Sequence, residues 1–353
     1  MVGTHLDGRG GIRAVVRGFI DAGLFERFDA VYVATHRYGT RWDKLSAAIG
    51  GWLKVASLLR KLDAPLVHVQ ASSRASFWRK SVVCMMARFA GRPYLLHVHS
   101  GEFMQFYEKE SGPLAQRFIR RILGNAELVI ALSDEWRERL LRVCPEAKVE
   151  VLTNAVALPD ITSTRSSSNR APKLLYLGDI KQSKGTHDLV RAFARVAGKF
   201  PALQLVCGGT GALAEVRDLA ARLGVQDRVI LPGWLGPEAK REALASATVF
   251  ALPSYAEGMP MSLLEAMSWG LPAIATPVGG IPQLITDETN GLFVTPGDID
   301  GIATAITRLM SEPALRERLG AAARATVEAG YTLEVTLARL SQIYRRFGIE
   351  ARA

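Results

Sequence analysis

Two acids bracket an otherwise apolar stretch of the chain, ALPSYAEGMPMSLLEAMSWGLP (residues 251–272), with seven residues between Glu257 and Glu265. Glu257 sits in a Gly/Pro turn, and a helix is expected to open at Pro260 or Met261, because proline suits a first helical position. Gly258, Met259, Pro260 and Met261 then form a helix entrance whose backbone N–H groups can meet an anion or a sugar oxygen. Glu265 falls about one turn into that helix, among Leu263, Leu264, Ala266 and Met267, where a carboxylate needs hydroxyl or N–H partners. Such a pair suits the acid/base work of a glycoside hydrolase or the gripping of a polyol. The plainer readings are a helix-dipole acid for Glu257 and a solvent-facing residue for Glu265.

Three further constellations could carry chemistry. In YLGDIKQSKGTHDLV (176–190) a strand runs through Gly178 into a loop with Lys181 and Lys184 and enters a helix after Gly185. Lysine beside a helix N-terminus suits a diphosphate, which needs positive charge and N–H donors together; an ordinary solvated loop is the alternative. In HLDGRGGIRAVV (5–16) Gly8, Gly10 and Gly11 precede a helix opening at Ile12. Glycine there allows close backbone approach to a ligand, or simply makes a strand-to-helix turn. In LLHVHSGEF (95–103) His99 follows a strand and stands at its carboxyl end, with His97 on the same parity; a structural hydrogen-bonding role competes with catalysis. Asn154, just after VEVL (149–152), is placed in the same way. Asp298 and Asp300 form the one D-x-D, but an acid after Pro-Gly and before a helix reads as an N-cap. The GTG at 209–211 lacks the third glycine of a dinucleotide fingerprint.

The elements that would position these groups alternate. Short apolar runs at 30–34, 66–70, 94–98, 128–132 and 149–152, then 173–177, 203–207, 228–231, 248–252 and 272–276, are separated by helical patterns such as Ile12, Val15, Val16, Phe19 and Ile20. That rhythm predicts an α/β protein with parallel sheets covered by helices on both faces. The Ser/Thr-rich segment between the halves divides it into domains at 1–158 and 173–330, with a linker at 159–172 and a closing helix at 331–353 expected to pack back on the first domain. Two Rossmann-like doubly wound domains facing across a cleft is the expected architecture, with ligands at strand carboxyl ends.

Composition narrows the function. Hydrophobic residues make up 48% and charged residues 22% of 353, a globular balance. No apolar run approaches a membrane span, no leader pattern is read at Met1–Thr4, and three scattered cysteines suit reduced thiols, so a cytoplasmic location is expected. The net charge of +10 is uneven: residues 1–158 hold 23 Lys and Arg against 15 Asp and Glu, the remainder 21 against 19. An anionic partner for the first half follows. Nucleic acid is not favoured, since no basic run interleaves with aromatics and no zinc-finger spacing occurs. Basic amphipathic stretches at 41–62 and 114–124 instead suggest an anionic membrane surface; core-facing helices with a solvated side are the alternative.

Taken in order, these motifs resemble the retaining glycosyltransferases of family 4, which have the GT-B fold. The family's E-x7-E motif matches Glu257 and Glu265, and its G-x5-K-G loop matches Gly178 through Lys184 and Gly185. Its Gly-rich entry matches Gly10 and Gly11, its acceptor-side His matches His99, and its Asn segment matches Asn154. GGIRAVV and THRYGT look closest to bacterial members that build surface polysaccharides. The resemblance implies transfer of a hexose from a UDP- or GDP-sugar to a glycan or lipid-linked saccharide, with retention, no cofactor and no metal. It implies an acceptor-binding first domain and a nucleotide-sugar-binding second one. Lys184, helped by Lys181 and Gly178, would neutralise the donor diphosphate, and Gly10 and Gly11 would let the first domain close on it. Glu257 and the backbone at Gly258, Met259, Pro260 and Met261 would hold the sugar hydroxyls. Glu265 would accept from the ribose, and His99 and Asn154 would lie towards the reacting sugar and acceptor. His99, Glu257 and Lys184 are thus the expected catalytic residues.

The chain departs from the family pattern at Asp179, where Arg is usual, at Ala155, where Gly is usual, and at Gln283, where Glu is usual. Asp179 removes a positive charge from the diphosphate loop, which Lys181 is close enough in sequence to replace. The competing readings are a sugar-nucleotide epimerase of the same fold and a catalytically silent binder of sugar nucleotides or membranes. A hydrolase has no use for the phosphate-type loops.

Overall fold

The structure, a computed structural model, describes residues 1–7, 10–62, 66–161 and 171–352. Gly8 and Arg9 of the glycine loop, and residues 162–170 of the expected linker, lie outside the described residues. The chain divides into two compact units, Met1–Ala155 with Leu333–Ala353, and Val156–Thr332.

In the first unit the order is β1 (Val2–Gly3), α1 (Gly11–Asp21), α2 (Leu24–Arg27), β2 (Val33–Ala34), α3 (Arg41–Lys61), β3 (Val67–Ala71), α4 (Ala75–Phe89), β4 (Tyr94–Val98), α5 (Phe103–Lys109), α6 (Pro113–Gly124), β5 (Leu128–Ala131), α7 (Asp134–Val143) and β6 (Val149–Val151). The second unit continues with β7 (Lys173–Leu177), α8 (Thr186–Val196), β8 (Gln204–Gly208), α9 (Leu213–Arg222), β9 (Val229–Gly233), α10 (Pro237–Ser246), β10 (Val249–Leu252), α11 (Met261–Ser268), β11 (Ala273–Ala275), β12 (Leu292–Phe293), α12 (Ile299–Ser311) and α13 (Pro313–Gly330). Helix α14 (Leu333–Arg345) returns to the first unit. Each of the ten apolar runs carries a strand.

Each unit holds a six-stranded parallel sheet, ordered β2-β1-β3-β4-β5-β6 and β12-β11-β10-β7-β8-β9. Parallel strands are buried on both faces and so need near-continuous apolar runs. All five residues of β3 and of β4 are buried, as are all four of β5 and of β10. The first unit's core gathers Val69, Leu96, Val129, Phe77, Phe103 and Ile119 around its sheet. Against that background, His68 and Gln70 in β3 and His97 in β4 are unusual: His68 and Gln70 find hydrogen-bond partners, whereas among the described residues neither ring nitrogen of buried His97 has one.

The strand orders locate the ligand-binding ends. In the second sheet the chain starts at β7, runs outward through β8 and β9, then returns to β10 on β7's other side. The order reverses between β7 and β10, and loops leaving neighbouring strands at such a point diverge and open a crevice at their carboxyl ends. In the first sheet the reversal lies between β1 and β3. Asp298 caps α12 by accepting from Gly301 N (2.9 Å), and Asp300 pairs with Arg195, so the D-x-D is spent on structure.

Candidate active site

Three loops meet at the reversal point of the second sheet. After β7, Gly178 leads past Asp179 and Lys181 to a 3-10 turn, Gln182–Lys184, that ends at Gly185. Asp179, where the family pattern has Arg, is exposed, and its carbonyl accepts from Tyr176 Oη (2.6 Å). Gly185 takes a left-handed φ of 69°, and a Cβ there would stand 2.0 Å from the Pro253 carbonyl oxygen. Only glycine lets the first loop press so closely on the one after β10. The contact is fastened by Tyr255 N donating to Ser183 O (3.0 Å).

Glu257 and Lys184 come together across this seam. Lys184 Nζ lies 2.8 Å from Glu257 Oε1 and donates to Ala256 O (3.1 Å). Ser254 Oγ also donates to Glu257 Oε1 (2.7 Å). Both charged side chains are largely covered, 19% and 10% exposed, so the pair is held in a fixed geometry rather than in bulk solvent. A third loop, after β11, closes the back: Thr276 Oγ1 donates to Ser254 O (2.5 Å) and Gly280 N to Gly258 O (2.6 Å). Gly279 has φ 59°, and a Cβ on it would meet the Glu257 carbonyl at 1.9 Å. Gly258, Met259 and Pro260 are buried, with Pro260 at the N-cap of α11 and Met261 its first residue. Helix α11 has no side-chain cap, so the N–H groups of its first turn remain for a ligand oxygen.

Glu265 has a partner that sequence reasoning missed. Lys240 Nζ, from α10, donates to Glu265 Oε1 at 2.5 Å. Twenty-five residues separate the two in sequence, and α10 reads as an ordinary charged helix, so no local signal marks Lys240. Ser254 could have been found, since a hydroxyl three residues before a buried carboxylate in one turn is a natural donor. Both acids of the opening stretch are therefore paired with lysines, Glu257 with Lys184 and Glu265 with Lys240.

The first unit contributes a separate polar cluster. His99 follows β4, and its Nε2 donates to Gln70 Oε1 (2.5 Å), while the Gln70 amide donates to His68 Nε2 (3.1 Å). With Nε2 accepting, the His68 proton sits on Nδ1 and goes to Tyr344 Oη of α14 (2.7 Å). Register explains the meeting: Gln70 stands opposite His97 on adjacent strands, and His97 stacks between His68 and His99 at 5.6 and 4.1 Å. Burial pushes His68 and His99 down to about 3, and His97 well below its usual value. All three rings are neutral near pH 7, so His99 is equipped to hydrogen-bond a ligand rather than to carry a proton. Asn154 is buried after β6. Gly10, with φ 107°, is the N-cap of α1, and Gly11 is its first residue, one position before the expected Ile12.

Comparison with known proteins decides what this arrangement belongs to. The family described as Glycosyltransferase Family 4 matches residues 6–158, and Glycosyl transferases group 1 matches residues 161–326. The chain is a family 4-type glycosyltransferase. The alpha-D-kanosaminyltransferase of Streptomyces kanamyceticus is 28% identical over 331 residues, 85% of this chain and 84% of that protein. Among solved structures, a sucrose-phosphate synthase from Thermosynechococcus elongatus is 26% identical with a TM-score of 0.74, covering 88% of this chain and 80% of that one. Anabaena Alr3699/HepE, solved in complex with UDP-glucose, has a TM-score of 0.76 over 98% of both chains at 19% identity, a likeness of fold. The glycosyltransferase thus has the GT-B fold, two parallel-sheet α/β domains.

Proposed function

We propose that this glycosyltransferase is a retaining hexosyltransferase. It would move a hexose from a UDP- or GDP-sugar to a glycan or lipid-linked saccharide in cell-surface polysaccharide synthesis, working without a metal on the cytoplasmic side of the membrane. The observation that carries this reading is the Lys184–Glu257 pair beside the uncapped entrance of α11, at the sheet's reversal point.

The chemistry follows from those groups. Breaking the bond between the sugar's anomeric carbon and the diphosphate places negative charge on the leaving phosphate. A fixed lysine and unpaired helix N–H groups stabilise that charge without reorganising. In this reading Lys184, with Lys181 and the Gly178 turn, faces the diphosphate. Glu257 and the backbone at Gly258–Met261 hold the sugar hydroxyls, and Glu265 takes the ribose. His99 and Asn154 serve the acceptor side, and Gly10 and Gly11 let the first domain close on the diphosphate. Alr3699/HepE, the neighbour solved with UDP-glucose, makes a UDP-sugar the first donor to try.

The test is a screen of UDP-, GDP- and ADP-sugars for thermal stabilisation and slow donor hydrolysis, followed by proton NMR of the transferred sugar. One donor should stabilise the protein and be consumed, with the anomeric coupling unchanged in the product. No response to any donor would refute the reading, and an inverted product would refute retention.

A further inference from the structure

His99 is fixed at the carboxyl end of β4 by its backbone as well as its ring. Its N–H donates to Ala71 O (2.8 Å), which carries the β3–β4 ladder one residue past Val98. Gln70 stands opposite His97 in that ladder, and His68 and Gln70 share a sheet face with His97, because side chains two apart along a strand point the same way. His97, with no hydrogen-bond partner among the described residues on either ring nitrogen, offers only its ring faces to His68 and His99. The Gln70 amide is left to His68 and His99.

The direction of that amide is set. Its nitrogen lies 3.1 Å from His68 Nε2 and 3.6 Å from Met1 Sδ. A thioether sulfur accepts and never donates, so the N–H side of the amide faces Met1 and His68 and the oxygen faces His99. The reverse orientation would set two acceptors, oxygen and sulfur, against each other at a fully buried position. The amide oxygen only accepts, so the His99 proton lies on Nε2 (2.5 Å). The ring is neutral, since burial holds it down at about 3, and Nδ1 keeps its lone pair. Among the described residues Nδ1 has no hydrogen-bond partner, and His99 alone of these four side chains is not fully buried. Such a lone pair meets the hydrogen of a hydroxyl and repels a phosphate or carboxylate oxygen.

We propose that Gln70 is a positioning residue, which holds His99 in the Nε2–H tautomer so that Nδ1 accepts a hydrogen bond from a sugar hydroxyl. The ligand half of this statement rests on the glycosyl-transfer reading above; the tautomer half does not. Nitrogen–proton NMR of protein labelled on the histidine ring nitrogens, with His99 assigned by the signal lost in His99→Asn, should show His99 protonated on Nε2 and His68 on Nδ1. Gln70→Met keeps the length of the side chain but leaves a buried Nε2–H without an acceptor, so the His99 proton should move to Nδ1. Turnover should fall about tenfold, with the UDP dissociation constant as in the parent. Gln70→Glu, read at alkaline pH where the rings stay neutral, restores an oxygen acceptor and should recover both the tautomer and most of the rate. Thermal melts check that each variant is folded. Two arms locate the hydroxyl: a fall in hydrolysis of UDP-glucose alone puts it on the donor sugar, and a fall only in transfer to added methyl glycosides puts it on the acceptor. A parent His99 protonated on Nδ1, an unmoved proton in Gln70→Met, or parent-like rates in both arms would overturn the proposal. If the parent consumes no sugar nucleotide, the transferase reading fails, and the ring spectra still decide whether Gln70 sets the tautomer.

Discussion

Replacing Lys184 by Met separates the structural and chemical duties of the loop seam. The substitution keeps the side chain's length and removes its charge, while Ser254 Oγ still donates to Glu257. The pair is 19% and 10% exposed, so little solvent is available to replace the lost cation. Stripping one partner from a buried pair costs about 3–5 kcal/mol, and partial exposure favours the lower end, about 3 kcal/mol. For a unit the size of Val156–Thr332, that lowers its unfolding temperature by roughly 6–12 °C. The double variant Lys184→Met/Glu257→Gln removes both charges of the pair and should recover to within about 1 kcal/mol of the parent. Donor binding should not recover, because the diphosphate has lost its cation in both variants; a lost charge-assisted contact weakens it about 30-fold. Thermal unfolding by circular dichroism gives the first quantity, and titration calorimetry with UDP and GDP the second. If the double variant is as unstable as Lys184→Met, the pair does not hold the seam. If Lys184→Met binds both nucleotides like the parent, Lys184 does not face the diphosphate.

Two further outcomes follow from other parts of the structure. Glu265→Ala should weaken nucleoside diphosphate binding, and Lys240→Met should do so less while leaving turnover at saturating donor intact, since Lys240 touches the carboxylate and not the reacting atoms; a parent-like dissociation constant in both would remove Glu265 from the nucleotide site. The buried histidines should make the first unit acid-labile. His68 has a folded value near 3 against an unfolded one of 6.5, so the unfolded chain binds more protons between these values. The stabilisation is complete above about pH 6.5 and is lost as pH falls, by about 2 kcal/mol at pH 5 from His68 alone. His68→Gln should flatten that slope in a pH series of thermal melts. An equal slope in parent and variant would show that His68 is not buried and neutral.

What could be read before the structure depended on how far apart the interacting residues lie in sequence. Glu257, Glu265, Lys184 and Gly185 are marked by type and spacing within single loop-to-helix segments, where glycine, proline and charge have local meanings. The Lys240–Glu265 pair and the His68–Gln70–His99–Tyr344 chain are not marked, because each is made by elements that only sheet order and register bring together. Gln70 sits opposite His97 through the pairing of β3 with β4, and Tyr344 arrives from the last helix. Nothing in VHVQA or YLLHV announces those meetings.

The basic helices show the same limit for surfaces. Periodicity tells that a helix has an apolar side; it does not tell whether the fold supplies something to cover it. Helix α6 is covered, with Tyr94 Oη donating to Ile122 O (2.6 Å) and Phe118 lying 5.9 Å from Trp78. Helix α3 runs so close to β2 that a Cβ on Gly51 would stand 2.5 Å from the Ala34 carbonyl oxygen. Such an approach admits only a small residue at that point, while Trp52, Leu58 and Leu59 of the same helix pack against the core elsewhere along it. Trp42, Leu45, Ile49 and Leu53 lie off that inward face and stay exposed.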